Sequence, residues 1–447
     1  MKKIIFQNTG LLPAVIIPWA ACVFLSCASA SPSFNEPVRN IPSDFTGIVH
    51  AGGTRTQQEY DLLNYMGASW VLHTFYWSSI EREPDQWNFK YYDEIVDMAG
   101  QSGIKTLGVL AYDNWFIHDD EKQKYYIPPD KIPYFLEYIR KTAEHFCGRI
   151  GAWSIWNEPN FSFWKGTDKE FFELTRLAAE AIREVDSEVI LLGGSFIRGI
   201  FGPPKKYIKG LFESGAMEKI DNIAFHPYEL NPRRAARLYD KFKKIVNYWD
   251  YGDKIWLTEI GYPTGGGYPT KISEKKLGAY VIKTYTLMAA REAQKMLWYQ
   301  LFDPVNRRSA HSESFFGLVR STKDYTSKGA EAFKLCAAYV SGTRCYTGED
   351  LGKKLPPSLA AYYFSGNNSN ALILWNNSPG TIKIHAALPG TDHTRHDPHS
   401  GAASSVPANG EIKVGSTPIF ITWQGGSTAP VLNKYYDYAI PKEAPVN

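Results

Sequence analysis

Short apolar runs alternate with longer segments of helical period along most of the chain. Runs at 45–50, 69–75, 105–112, 150–155, 189–194, 222–228, 254–260 and 296–302 predict eight strands. They are nearly continuous in Val, Ile, Leu and aromatics, as strands buried on both faces are. Between them, Tyr92, Ile95, Val96 and Ala99 recur on one helix face, and Phe135, Ile139 and Phe146 stripe a helix beginning at Asp130. Thr167-Asp168-Lys169-Glu170 reads as a capping box, and segments 57–65, 235–249, 273–293 and 328–339 read as further helices. Eight strand–helix repeats predict an α/β fold, a (β/α)8 TIM barrel over residues 45–343. A doubly wound open sheet gives the same alternation.

From about residue 344 the texture changes. Short strands at 360–364, 371–375, 381–385, 411–414 and 418–423 are separated by turn clusters such as Gly366-Asn367-Asn368 and Ala408-Asn409-Gly410. They predict a small C-terminal all-β sandwich over 344–426, followed by a tail over 427–447. His393, His396 and His399 fall in a polar loop with Asp392 and Asp397; lacking fixed ligand spacing, they read as solvated surface ahead of a metal site.

The amino terminus carries a different signal. Lys2 and Lys3 precede an apolar stretch, 11–25, broken by Pro13 and Pro18 and followed by small residues at 26–31. That order predicts an export signal over 1–30 rather than a spanning helix. Leu25-Ser26-Cys27 resembles a bacterial lipobox, which implies lipidation of Cys27 and a membrane-anchored lipoprotein, with Phe24 departing from the pattern. Cleavage at a small residue such as Ala30, giving plain secretion, is the alternative. Residues 31–44, rich in Pro, Ser and Asn, read as a tether.

Composition changes this picture little. A net charge of +3 over 447 residues gives no case for nucleic acid. Aromatics at 15% suit sugar stacking and a large core equally. Beyond the export segment, Cys147, Cys336 and Cys345 are too few for a metal cage or a disulfide scaffold, and a Cys336–Cys345 bridge and buried free thiols both stay open. No metal, cofactor or defined oligomeric state is implied.

Two glutamates carry the candidate chemistry. The strand at 150–155 runs into Trp156-Asn157-Glu158-Pro159, and the strand at 254–260 delivers Glu259 before Gly261 and Pro263. A lone glutamate there can simply start a loop; a second one, about 100 residues and three βα units later, is harder to dismiss. On a barrel both stand at the active-site face. Glycoside hydrolysis requires such a pair, one carboxyl group to protonate the leaving oxygen and one to meet the oxocarbenium-like centre.

The Asn-Glu-Pro after strand four, the later Thr258-Glu259-Ile260-Gly261, Trp77-Ser78-Ser79-Ile80-Glu81, His226-Pro227-Tyr228 and Trp298 together resemble clan A retaining glycoside hydrolases. The pattern is closest to family 39-like and family 5-like β-glycosidases. The resemblance implies Glu158 as general acid/base and Glu259 as nucleophile. It implies Asn157 on the sugar 2-hydroxyl, His226 and Tyr228 holding the nucleophile, and Trp298 as floor of the sugar site. It implies Glu259 kept ionised by Tyr228 and Glu158 kept protonated in drier surroundings. An arginine expected on strand two is replaced by His73, for which His73 itself or Arg55 could substitute. Trp115 is a further substrate candidate, with Asn114, Trp164, Tyr262 and His311 behind it. The expected partner is an oligo- or polysaccharide. A transglycosylase, and a surface glycan-binding protein that has lost catalysis on the same barrel, are the competing readings.

Overall fold

The computed structural model describes residues 39–50, 55–120, 124–199, 201–266, 271–303, 312–320, 327–351, 355–366, 369–426 and 428–434. The segment expected to be an export signal, with Cys22 and Cys27, lies outside them. Eight parallel strands close into a barrel: β1 Thr46–Val49, β2 Trp70–Tyr76, β3 Lys105–Ala111, β4 Ala152–Ile155, β5 Ile190–Ile197, β6 Asn222–His226, β7 Ile255–Ile260 and β8 Lys295–Tyr299. Ile48 of β1 lies beside Trp298 of β8, which closes the ring and excludes the open sheet. Helices α1 Gln57–Tyr65, α2 Lys90–Gln101, α3 Ile132–His145, α4 Asp168–Val185, α5 Lys205–Glu213, α6 Pro232–Val246, α7 Glu274–Ala289 and α8 Ala330–Tyr339 cover its outside.

Local signals explain most of these elements. Both halves of the capping box form at the start of α4: the Thr167 hydroxyl accepts from the Glu170 amide, and Glu170 Oε2 accepts from the Thr167 amide. Asn231 caps α6, and Pro232 opens it at a position where no amide is missed. The helix α5 lies where the sequence pattern marks no element. Its buried face is only Tyr207, Ile208 and Leu211, with Gly210 interrupting it, too short a stripe to stand out.

The sandwich comprises β9 Arg344–Thr347, β10 Leu359–Ser365, β11 Ser369–Asn376, β12 Ile382–Ala387, β13 Thr391–His396, β14 Ala403–Ser405, β15 Asn409–Val414, β16 Ile419–Gln424 and β17 Val431–Lys434. A short strand, Arg39–Asn40, pairs with β9 and heads the larger sheet, while β17 pairs with β12 in the smaller one. Two boundaries therefore move. The end of the expected tether and part of the expected tail are built into the sandwich, because each completes a sheet edge with backbone hydrogen bonds. His393 and His396, expected in a loop, lie on β13; His396 bonds the Thr422 hydroxyl and His393 the Pro389 carbonyl. Cys336 and Cys345 are buried free thiols.

One face of the sandwich shares an apolar core with the outer layer of the barrel, while its inner face packs a core of its own. Phe364, Ala371, Ile373, Trp375 and Phe420 join Phe333 and Cys336 of α8 in the shared core. Lys283 of α7 lies over the Trp375 ring and donates to the Ser416 carbonyl, and burial lowers its pKa to about 8. A Cβ on Gly278 would stand 2.0 Å from the Pro398 carbonyl oxygen of the sandwich. Gly278→Val is therefore expected to lower stability by about 2 kcal/mol, in the range of overpacking. An unchanged urea midpoint would show that this junction has room.

Candidate active site

The acid on the fourth strand is placed by a turn rather than by the strand. After β4 the chain enters the left-handed region at Trp156 (φ 65°) and again at Glu158 (φ 45°), uncommon for such residues. The surroundings hold that turn in place. The Trp156 amide donates to the Leu110 carbonyl and the Glu158 amide to the Ser195 carbonyl. Trp156 is fully buried, with its Nε1 donating to the Phe163 carbonyl at 2.7 Å. Asn160 bonds both the amide and the carbonyl of Ile197, pairing with β5 as a strand residue would. Held backbone strain of this kind clusters at functional sites.

Glu259 is placed by a different device. In β7, Trp256 packs inside the barrel and Leu257 outside. Strict alternation would then put Thr258 inside and Glu259 outside. The pairing of β7 with β8 slips between Leu257 and Ile260, so that three steps on β7 match two on β8. This bulge lets Thr258 and Glu259 both reach the mouth and returns Ile260 to the outer layer. A second slip, between Gly193 and Phe196 of β5, sets Ser195 (φ 45°) against Ser154, their hydroxyls 2.9 Å apart.

His226 sits between the two carboxylates. Its Nδ1 is 2.8 Å from Glu158 Oε1 and 3.7 Å from Glu259 Oε2, and its Nε2 is 2.9 Å from the Thr258 hydroxyl. One ligand atom from each of Glu158, His226 and Glu259 falls within 4.8 Å of the others. That set could in principle hold a metal, but both ring nitrogens of His226 are already engaged, and a metal would have to displace one of them. Burial pushes the imidazole pKa down, and the Glu259 charge and the hydrogen-bonded Glu158 outweigh it and leave it above the ordinary value. The Tyr228 hydroxyl donates to Glu259 Oε2 at 2.9 Å, and burial followed by that carboxylate holds the phenol pKa well above normal. A cleft of about 1070 Å³ opens above the pair, lined also by Tyr76, Tyr112, Trp115, Asn157, Phe161 and Tyr299.

The model of the Glycosyl hydrolases family 39 matches residues 56–239, which takes in Glu158, His226 and Tyr228 and stops short of Glu259. Over those residues, about two fifths of the chain, the barrel is similar to that family. Over 111 residues it is 31% identical to a β-xylosidase of Caldicellulosiruptor saccharolyticus, covering 22% of this chain and 23% of that protein. Over 151 residues it is 27% identical to a heparanase of Rattus norvegicus, covering 28% and 27%. The matches thus span about a quarter of these curated relatives. In three dimensions the chain resembles a family 39 glycoside hydrolase from Bacteroides cellulosilyticus WH2, with TM-score 0.70 and 17% identity over 85% of this chain and 81% of that one. A family 39 β-xylosidase from Caulobacter crescentus aligns with TM-score 0.62 and 13% identity over 87% and 98%.

Within this barrel, Glu158, Glu259, Asn157, His226 and Tyr228 come together at the mouth, with Trp115 on its rim, 60% exposed. His226 approaches Glu158 more closely than Glu259, so it holds the acid first. Two expected residues do not join them. Trp298 is fully buried in the outer layer against Tyr285 and Tyr262. Alternation along β8 turns Leu297 and Tyr299 inward, and Tyr299 lines the cleft in its place. His73 faces outward on β2 and bonds the Tyr60 hydroxyl of α1 at 2.9 Å, its pKa held well below normal by burial and then by His50 and Arg55. Arg55 bonds neither glutamate and lines a neighbouring cavity. Asn114, Trp164 and Tyr262 are buried in packing or backbone bonds, and His311 lies outside the described residues.

Tyr112 and Tyr299 went unread. Tyr112, whose hydroxyl accepts from Asn157 Nδ2 at 3.3 Å, ends the third apolar strand and has no motif to mark it.

The His226 contacts have a measurable consequence. A raised native pKa means the imidazolium adds stability that is fully present below the ordinary value of 6.5 and lost as pH rises through the native one. In Glu259→Gln, ring-proton NMR should show His226 titrating at lower pH than in the parent. An unchanged midpoint would mean the two groups do not interact.

Proposed function

We propose that this protein is a retaining hydrolase of β-glycosidic bonds. The observation that carries the reading is the carboxylate pair, with oxygens of Glu158 and Glu259 inside 4.8 Å. Oxygens that close favour the short carboxyl separation of a retaining enzyme, about 5–5.5 Å, over the about 6.5–9.5 Å by which an inverting enzyme admits a water. Glu259 attacks the anomeric carbon while Glu158 protonates the departing oxygen, and Glu158 then takes a proton from the water that releases the sugar. Tyr228 and His226 both approach Oε2 of Glu259, which fixes the orientation of that carboxylate. Asn157, beside Glu158 in the cleft, is placed for the sugar hydroxyls. Aromatic rims at Trp115 and Phe161 suit the apolar faces of sugars. Similarity to two β-xylosidases makes β-xylosides the first substrates to test.

With aryl β-glycosides and β-linked oligosaccharides, Glu158→Gln is expected to lower kcat by about 10²–10⁴, the usual contribution of a general acid. Glu259→Ala should abolish turnover. Proton NMR of the first product should show the β anomer. Inversion, or full activity in Glu259→Ala, would overturn the reading.

We further infer export with a lipid anchor at Cys27, supported by Lys2 and Lys3, the apolar stretch 11–25 and Leu25-Ser26-Cys27. The parent expressed in a bacterial host should partition into detergent, and Cys27→Ser should not. Equal partitioning of the two would sink the anchor.

A further inference from the structure

Beside the catalytic cleft lies a second cavity, of about 660 Å³, with Val49, Leu72, Thr74 and Tyr76 as the wall common to both. Its charge is one-sided. Arg55, Arg82 and Lys90 line it, and among the described residues Glu94 is its only carboxylate. Arg82 and Lys90 are exposed and make no ion pair among the described residues. The contrast within the same mouth is instructive. Arg198, which lines the catalytic cleft, is neutralised by Glu229 at 2.8 Å.

Two of the lining residues carry a buried nitrogen with no hydrogen-bond partner among the described residues. The Arg55 guanidinium lies 5.6 Å from the Tyr91 ring centre, and its Nε is buried with no hydrogen-bond partner. His50 is 1% exposed and its Nδ1 has none either. Its Nε2 stands 2.9 Å from Glu59 Oε2 without hydrogen-bond alignment. A buried donor left unpaired is unfavourable, and an acceptor arriving with a ligand would relieve it. A planar guanidinium flanked by further cations matches a carboxylate or sulfate, which it can take through two parallel hydrogen bonds.

We propose that this annex binds an anionic substituent, a uronate carboxylate or a sulfate ester, on a sugar unit near the cleaved linkage. The proposal rests on the glycosidase reading in that it needs a glycan at the catalytic pair. The annex then selects acidic glycans over neutral ones, a preference that the carboxylate pair itself has no means of expressing.

The test measures binding by calorimetry to the Glu158→Gln protein, so that it does not depend on turnover. The probes are xylo-, gluco- and galacto-configured β-linked oligosaccharides in neutral, glucuronate-bearing and O-sulfated forms. Acidic members should bind at least about tenfold tighter than their neutral counterparts, the scale of one charged hydrogen bond. Which acidic arm shows it distinguishes carboxylate from sulfate. Arg55→Gln should collapse the ratio, and so should a double change of the exposed pair, Arg82→Gln with Lys90→Gln, where misfolding is not at issue. No preference for any acidic member, or a ratio that survives both variants, would overturn the proposal. Preference for acidic oligosaccharides with no hydrolysis of any glycoside by the parent would leave the annex standing and remove the hydrolase reading. Hydrolysis without preference would do the reverse.

Discussion

Glu158 and Glu259 bring carboxyl oxygens within 4.8 Å of each other, and the site exists because the fold holds them there with an imidazole between them. Everything else at the mouth serves that approach. The left-handed turn at Trp156 and Glu158 brings one acid in, and the bulge in β7 brings the other. Thr258 and Tyr228 fix His226 and Glu259 in orientation. The imidazole suits this place because one ring nitrogen approaches both glutamates while the other is held by Thr258, and the carboxyl groups beside it raise its pKa.

The eight strands and the two glutamates were legible in the sequence because fully buried parallel strands are written as apolar runs bounded by Gly and Pro. The same property hid the facing of their side chains. In a strand apolar on both sides, nothing distinguishes Trp298 from Tyr299 or His73 from Thr74, yet a one-residue step moves a side chain from the barrel interior to the helix layer. Trp298 and His73 were lost in this way. Bulges are harder still to read. The slip between Leu257 and Ile260 depends on pairing with β8, which local sequence does not encode.

The barrel and the sandwich are not two bodies joined by a linker. Trp375 and Phe420 sit in the same core as Phe333, and Lys283 spans the junction with its ammonium on an aromatic face. Such a continuous apolar contact ties α7 and α8, and through them β7 and β8, to the sandwich. Rigidity at Glu259 is thus supported from behind as well as from its neighbours in the ring.

The pairing of Arg39–Asn40 with β9 sets an order of events during synthesis. The strand Arg39–Asn40 emerges early, and its partner follows about 300 residues later, roughly 15 to 60 seconds at common elongation rates. The seam between β1 and β8 waits almost as long. For that interval the growing chain carries two unpaired strand edges: the edge of β1 waits for nearly the whole barrel, and Arg39–Asn40 waits for the start of the sandwich as well. Timely protection of nascent edges is therefore as much a requirement of this architecture as the packing of the finished core.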